Sequence, residues 1–300
     1  MITSPSNSKV KWVRALARKK ERYATQQFVI EGVRLVEEAL NARVKLSLVL
    51  HTASLEDDAR AGALLARVRA ATSEVFAVSD AVMQAIAQTE TPQGILAVVP
   101  FVELPLPAPP QFVLILDAVR DPGNVGTILR SARAAGVEVV FLAHGTADPY
   151  NPKVVRAAMG AHFGVPLRVA SWEWIADALR AVPRVYLADA RGEVIYTRAD
   201  WSRPLALIIG GEAEGASDAA RRLATARVAI PLRGGAESLN AAMAATVLLF
   251  HANESNVPNA PNVPKEPNLP NVPNEPNVPN VPNVPNVPNE PNLPKSGFVV

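Results

Sequence analysis

From Pro258 to Pro294 the chain carries a proline at every third position, thirteen in all, most of them flanked by asparagine. Proline lacks an amide donor and holds φ near −65°, so such a stretch can enter neither a helix interior nor a central strand and favours polyproline II. At about 3.1 Å per residue, the 39 residues of the repeat (256–294) would reach roughly 120 Å. Too few apolar side chains remain there to build a core. Residues 254–300 are therefore read as a low-complexity tail, disordered or polyproline II, a spacer in the first reading and a docking ligand for a partner's groove in the alternative. About the first 255 residues must supply whatever folds.

Within those residues, the segment 111–253 alternates apolar runs with amphipathic stretches. FVLIL at 112–116 precedes a helix over 124–135; EVVFL at 138–142 precedes a helix over 153–160. A short strand near Leu167, a helix over 173–181, strands RVYLA (184–188) and LALII (205–209), a helix after Ser217, strand VAIPL (228–232) and a helix over 239–251 follow. Strands that are apolar at every position need cover on both faces, and intervening helices provide it, so the fold class is α/β with a parallel sheet.

The front of the chain, residues 1–102, reads as a separate small α/β unit. A basic helix spans 9–22, with Ser4, Ser6 or Ser8 as caps, followed by a helix over 33–42 and a strand over 46–50. A helix over 56–71, a strand over 75–78, a Ser79-capped helix and a strand over 95–99 complete it. Between the units, 103–110 (ELPLPAPP) has four prolines in eight residues and is the natural linker.

Removing the tail's Lys265, Lys295, Glu266, Glu275 and Glu290 leaves 28 basic against 25 acidic residues, too even a balance to decide anything. The distribution is more telling. Residues 1–22 hold Lys9, Lys11, Arg14, Arg18, Lys19, Lys20 and Arg22 against Glu21 alone, a local +6 suited to a polyanion, although a solvated basic helix would look the same. Cysteine is absent, which excludes disulfides and thiolate metal sites. His51, His144, His162 and His251 are too scattered for ligand spacing, so no metal is expected. The start of the chain lacks the apolar run of a signal peptide, and the longest apolar run, 241–250, is half of what spans a bilayer. A cytoplasmic setting without membrane attachment is the expectation.

Three loops carry the chemistry. Asp121-Pro122-Gly123-Asn124-Val125-Gly126 joins a strand to a helix whose first turn offers free N–H groups, although Asn124 could simply be its N-cap. Arg130 and Arg133 lie near the positive end of that helix dipole and call for a compensating anion, although a surface arginine with its head in water would read the same. Gly210-Gly211-Glu212-Ala213-Glu214-Gly215 leaves another strand, and its carboxylates suit either acid/base work or capping. Arg233-Gly234-Gly235-Ala236-Glu237-Ser238-Leu239-Asn240 repeats the plan before the last helix. Three such loops on a parallel sheet would share one crevice at its C-terminal edge. The acidic-Gly-x-Gly-x-Gly loop of Rossmann methyltransferases is missing from both units.

LDAVRDPGNVGTILRSARAAG (116–136), LIIGGEAEGAS (207–217) and IPLRGGAESLNAAMA (230–244), in that order, resemble the three signature motifs of the SpoU/TrmH RNA 2′-O-ribose methyltransferases of the SPOUT class. DPYNPKVVRAAMGAHFGVPL (148–167) and the front block with FVIEGVRLVEEA resemble the ribosomal-RNA branch of that family. The resemblance implies a SPOUT domain with a deep trefoil knot over 111–253, an L30e-like substrate-binding domain over 1–102, and a homodimer with its site near the subunit interface. It implies S-adenosylmethionine as cofactor, held by Gly210, Gly211, Ile230, Leu232 and Leu239. Catalytic roles fall on Asn124, Arg130, Glu212, Ser238 and Asn240, with Glu212 holding Arg130 or Asn124 in place. Arg130 is the family's usual proton acceptor, but a charged guanidinium has no free lone pair, so it is read as a phosphate clamp that polarises the nucleophile. RNA contact is assigned to Lys9, Lys11, Arg18, Lys19, Lys20 and Arg22. Ala242 departs from the motif, where the family often has serine. The expected activity is methylation of a ribose in RNA, 23S ribosomal RNA first, with a transfer-RNA enzyme and a non-catalytic RNA-binding assembly factor as alternatives.

Overall fold

The computed structural model describes residues 1–212, 215–235 and 237–256. The repeat tail and Glu214 lie outside the described residues.

The front half runs α1 (Ser8–Ala15), α2 (Lys19–Thr25), β1 (Gln27–Glu31), α3 (Val33–Asn41), β2 (Leu48–Thr52), α4 (Ala59–Ala71), β3 (Val75–Val78), α5 (Asp80–Ile86) and β4 (Ile95–Pro100), with a 3-10 turn at Ala53–Asp57. Its sheet has the order β1-β4-β2-β3. β4 is antiparallel to both neighbours, while β2 and β3 are parallel. Val10, Val13 and Leu16 pack on one face with Val82 and Met83; α3 and α4 cover the other.

The single basic helix expected over 9–22 is two helices. The Arg22 guanidinium turns back and donates to the Leu16 and Ala17 carbonyls at 2.9 and 2.7 Å, groups that end α1. A buried cation needs acceptors, and the orphan carbonyls of a helix C-terminus supply them. The cap of α1 is Asn7, which accepts from the Lys9 amide, and not one of the three serines.

The second half runs β5 (Phe112–Asp117), α6 (Pro122–Ala134), β6 (Val139–Ala143), α7 (Pro152–Ala158), β7 (Leu167–Ala170), α8 (Trp172–Ala178), β8 (Arg184–Ala188), β9 (Val194–Ile195), β10 (Leu205–Gly210), α9 (Asp218–Leu223), β11 (Ala226–Ala229) and α10 (Ala241–Glu254). The order is β7-β6-β5-β10-β8-β11-β9 and every neighbouring pair is parallel. α6, α7 and α10 contribute Ile128, Leu129, Val154 and Leu248 to one face; α8 and α9 contribute Ile175, Leu179 and Ala220 to the other. The α/β reading of the sequence matches this sheet. The two-residue β9 has too little pattern to be foreseen.

The two halves share a core, since Val155 and Phe163 of the second pack among the front residues Phe28, Val36 and Val99. Beside that core, Arg22 Nη2 meets Asp148 at 2.5 Å and the Tyr23 hydroxyl donates to the same carboxylate at 2.9 Å. Tyr150 stacks on Phe101 at 3.6 Å between centroids. Asp148 lies in the loop after β6, which is hydrogen-bonded to the loop after β5 through Ala147 and Val119. The basic α2 is thereby held at the C-terminal edge of the large sheet.

Candidate active site

A parallel sheet ends all its strands on one side, so the loops after β5, β8, β10 and β11 meet there. A cavity of about 420 Å³ opens among them, within the range of small-molecule sites. Ile209, Ile230, Leu232, Leu239 and Leu248 form apolar walls; Asp189, Glu212, Arg221, Ser238 and Asn240 add polar groups. All five residues expected to hold a cofactor, Gly210, Gly211, Ile230, Leu232 and Leu239, line this cavity. Ile230 and Leu232 are free to do so because β11 stops at Ala229 rather than running to 232: the prolyl ring at Pro231 cannot donate to a ladder.

The glycines are there for close approach. A Cβ on Gly211 would sit 2.3 Å from the Ala118 carbonyl oxygen, and one on Gly210 would sit 2.8 Å from the Ala216 amide nitrogen. Ala118 itself has φ +54, a left-handed conformation unusual for a residue with a side chain.

Side chains from the three loops then join. Asn124 Nδ2 donates to Glu212 Oε1 at 2.6 Å, and Asn240 Nδ2 donates to Asn124 Oδ1 at 3.0 Å. Asn240 also caps α10, accepting from the Ala242 and Met243 amides. Asn124 is not the cap of α6. Asp121 is, accepting from the Asn124 amide at 2.8 Å, and this leaves the Asn124 amide group free to bridge the other two loops. Ser238 lies exposed at the cavity. The motif departure at Ala242 falls in a position only 4% exposed, beneath the cavity, where Thr246 donates to its carbonyl.

Arg130 stands apart. It is six residues beyond Asn124, about 240° round the helix and roughly 9 Å along it, exposed and without a hydrogen bond or ion pair among the described residues. Glu212 thus holds Asn124 and not Arg130. Arg133 finds its anion in Glu38 of the front half at 3.0 Å and also donates to the Gly160 carbonyl.

The expected RNA contacts divide. Lys11, Arg18, Lys19 and Lys20 are exposed. Lys9 pairs with Glu74 at 2.7 Å. Arg22 is corrected: only 2% exposed and committed to Asp148 and two carbonyls, it cannot present its charge to a phosphate. Three site residues escaped the sequence reading. Asp117, buried at the end of β5, accepts from the Ser217 amide at 2.6 Å and ties the first loop to the second. Asp189 and Arg221, 3.6 Å apart, close one side of the cavity. A polar residue directly after the apolar RVYLA run was the available clue to Asp189.

The fold and site define a class, a two-part α/β protein with a ligand cavity at the C-terminal edge of a parallel sheet. Comparison narrows the class. Residues 111–250 match the model of the SpoU rRNA Methylase family, and residues 7–97 match the MRM3-like substrate binding domain. The 23S rRNA (guanosine(2553)-2'-O)-methyltransferase RlmP of Bacillus subtilis (strain 168) is 39% identical, covering 83% of this chain and 98% of its own. The 23S rRNA (uridine(2479)-2'-O)-methyltransferase of Streptomyces viridochromogenes is 34% identical, over 84% and 91%. The AdoMet-bound rRNA methyltransferase from Sinorhizobium meliloti superposes with a TM-score of 0.75 at 34% identity, over 84% of this chain and 97% of that one. This chain belongs to the SpoU rRNA methylase family.

Proposed function

We propose that the protein transfers the methyl group of S-adenosylmethionine to a ribose 2′-oxygen of 23S ribosomal RNA. The observation that carries this is the Glu212–Asn124–Asn240 network closing over a cavity walled by Ile230, Leu232 and Leu239. The cavity fits the cofactor: it has apolar walls for a purine, and its Gly210-Gly211 backbone stands where a Cβ would collide with neighbouring chain. When bound, S-adenosylmethionine supplies a sulfonium methyl already activated toward attack.

The protein's part is positioning and charge. Gly210, Gly211, Ile230, Leu232 and Leu239 hold the donor. Asn124, fixed from both ends, and Ser238 orient the sugar edge. Arg130, exposed on α6, clamps a phosphate of the target and polarises the hydroxyl. Its guanidinium cannot accept the proton, so the acceptor is a carboxylate or water; of the two cavity carboxylates, Asp189 and Glu212, Glu212 is the one bonded to Asn124. Lys19 and Lys20 hold RNA along the same edge, supported by the anchoring of α2 at Asp148.

The reading extends to a trefoil knot in 111–253, a homodimer and a cytoplasmic setting. Met243, Val247 and Phe250, 64%, 40% and 45% exposed, make an apolar stripe at helical spacing on α10, beside the site, and favour a second copy as its cover. Among the described residues no helix is long and apolar enough to cross a membrane, and no group of three or more His, Asp or Glu could hold a metal.

The test is calorimetry with S-adenosylmethionine, followed by tritiated methyl transfer to unmodified 23S rRNA and ribose-methylation mapping. One saturable site and a single methylated ribose are expected. Binding without transfer would leave a non-catalytic RNA-binding factor, and transfer to tRNA alone would overturn the substrate.

A further inference from the structure

A second cavity, of about 570 Å³, lies in the front half, where the ends of β1 and β2 and the start of β4 meet the starts of α3, α4 and α5. We infer that it receives an unstacked nucleobase of the RNA substrate. This deepens the reading above and rests on it.

The lining suits a base better than a phosphate. Arg34 and Arg60 are balanced by Asp58 and Asp80, so there is no net positive charge to select a bare anion. Both donors and acceptors are available there, as a base edge requires. Gln93 turns its carbonyl oxygen to the Val33 amide at 3.1 Å, which leaves its amide donors for a ligand. Gln84 donates to the Glu90 carbonyl and keeps its own side-chain oxygen free among the described residues. Arg34 is exposed and has no hydrogen bond or ion pair among the described residues. Leu55 and Met83, both buried, supply apolar surface for a ring. Single-stranded RNA is read in this way, through splayed bases bonded on their edges.

The cavity also communicates with the methylation site. Arg156 of α7 donates to the Gln88 carbonyl at 3.2 Å, in the loop that continues to Gln93. α7 in turn lies hard against α6 at Gly126, two residues past Asn124: a Cβ there would sit 2.5 Å from the Ala157 Cβ. Lys153 and Arg156 are exposed along α7. Cations on the helix that links the two cavities fit a backbone running between them, with one base held at the far end while the ribose is methylated at the other.

The test uses the full-length protein and 23S rRNA transcribed with 4-thiouridine, irradiated and mapped by mass spectrometry. Cross-links within residues 80–94 are expected, lost in Ser54→Trp, which fills the cavity from an exposed turn. Ser54→Trp and the double variant Arg34→Gln/Gln84→Ala should each weaken rRNA binding about tenfold, with melting temperature and S-adenosylmethionine affinity unchanged. Cross-links confined to residues near Lys19 and Asn124, with both variants binding like the parent, would overturn the inference while leaving the proposed function standing. Absence of any cross-link or rRNA binding would overturn both.

Discussion

Asp148→Ala should destabilise the protein strongly although the residue lies outside the cavity. The Asp148 carboxylate is 8% exposed and the Arg22 side chain 3%, so neither is screened by water. Removing the carboxylate strands a buried guanidinium and takes the partner from the Tyr23 hydroxyl, whose own pKa is already raised by burial first and by Asp148 second. Breaking a buried pair from one side costs about 3–5 kcal/mol. At roughly 2–4 °C per kcal/mol for a chain of this size, the melting temperature should fall by about 6–20 °C. Arg22→Met/Asp148→Leu should recover at least half of that loss, because an apolar pair of similar volume removes the stranded charge and the Arg22 Nε donor, which has no partner. Differential scanning calorimetry of the three proteins is the assay. A single variant melting within about 1 °C of the parent, or a double variant no better than the single, would show that the pair carries little of the junction between the halves.

Four further outcomes follow from the same structure. Gly211→Ala should abolish S-adenosylmethionine binding by calorimetry and destabilise by about 1–3 kcal/mol, since the Ala118 backbone has to move; wild-type affinity would contradict this. Asn124→Ala should cut the methyl-transfer rate on rRNA by roughly a hundredfold with cofactor affinity within threefold, and an equal loss in both would reassign Asn124 to cofactor binding. Lys19→Gln/Lys20→Gln should reduce the salt dependence of RNA binding, the slope of log K against log salt falling by roughly 1.4, and an unchanged slope would remove α2 from the interface. His162, 3% exposed beneath Phe28 and Tyr150, has its pKa pushed down to about 4 by burial. Below about 6.5 the unfolded chain takes up a proton that the native His162 refuses, so stability should fall by roughly 2 kcal/mol from pH 6.5 to 5 and stop falling near 4. Urea melts of His162→Phe should lack that slope; an identical slope would place the proton elsewhere.

Much of this was legible in the residues themselves. Continuously apolar runs, such as 112–116 and 205–209, need cover on both faces, so the parallel sheet and the shared edge at its strand ends followed from pattern. Glycines after those strands marked where backbone comes close; each loop by itself also read as a turn or a cap, and only the three together, in their order, pointed to a shared site.

What only the tertiary structure decided was the pairing of groups distant along the chain. A basic stretch reads the same whether its cations face water or a carboxylate. Arg22 is buried against Asp148, which follows β6, at 2.5 Å, and the stretch that reads as one basic helix is two. Asn124 could have been a cap, but Asp121 took the cap and freed it for Glu212 and Asn240. The second cavity likewise has no motif, because it is formed by the ends of six elements rather than by any one of them. Local chemistry specifies which groups need partners; packing specifies which partners they find.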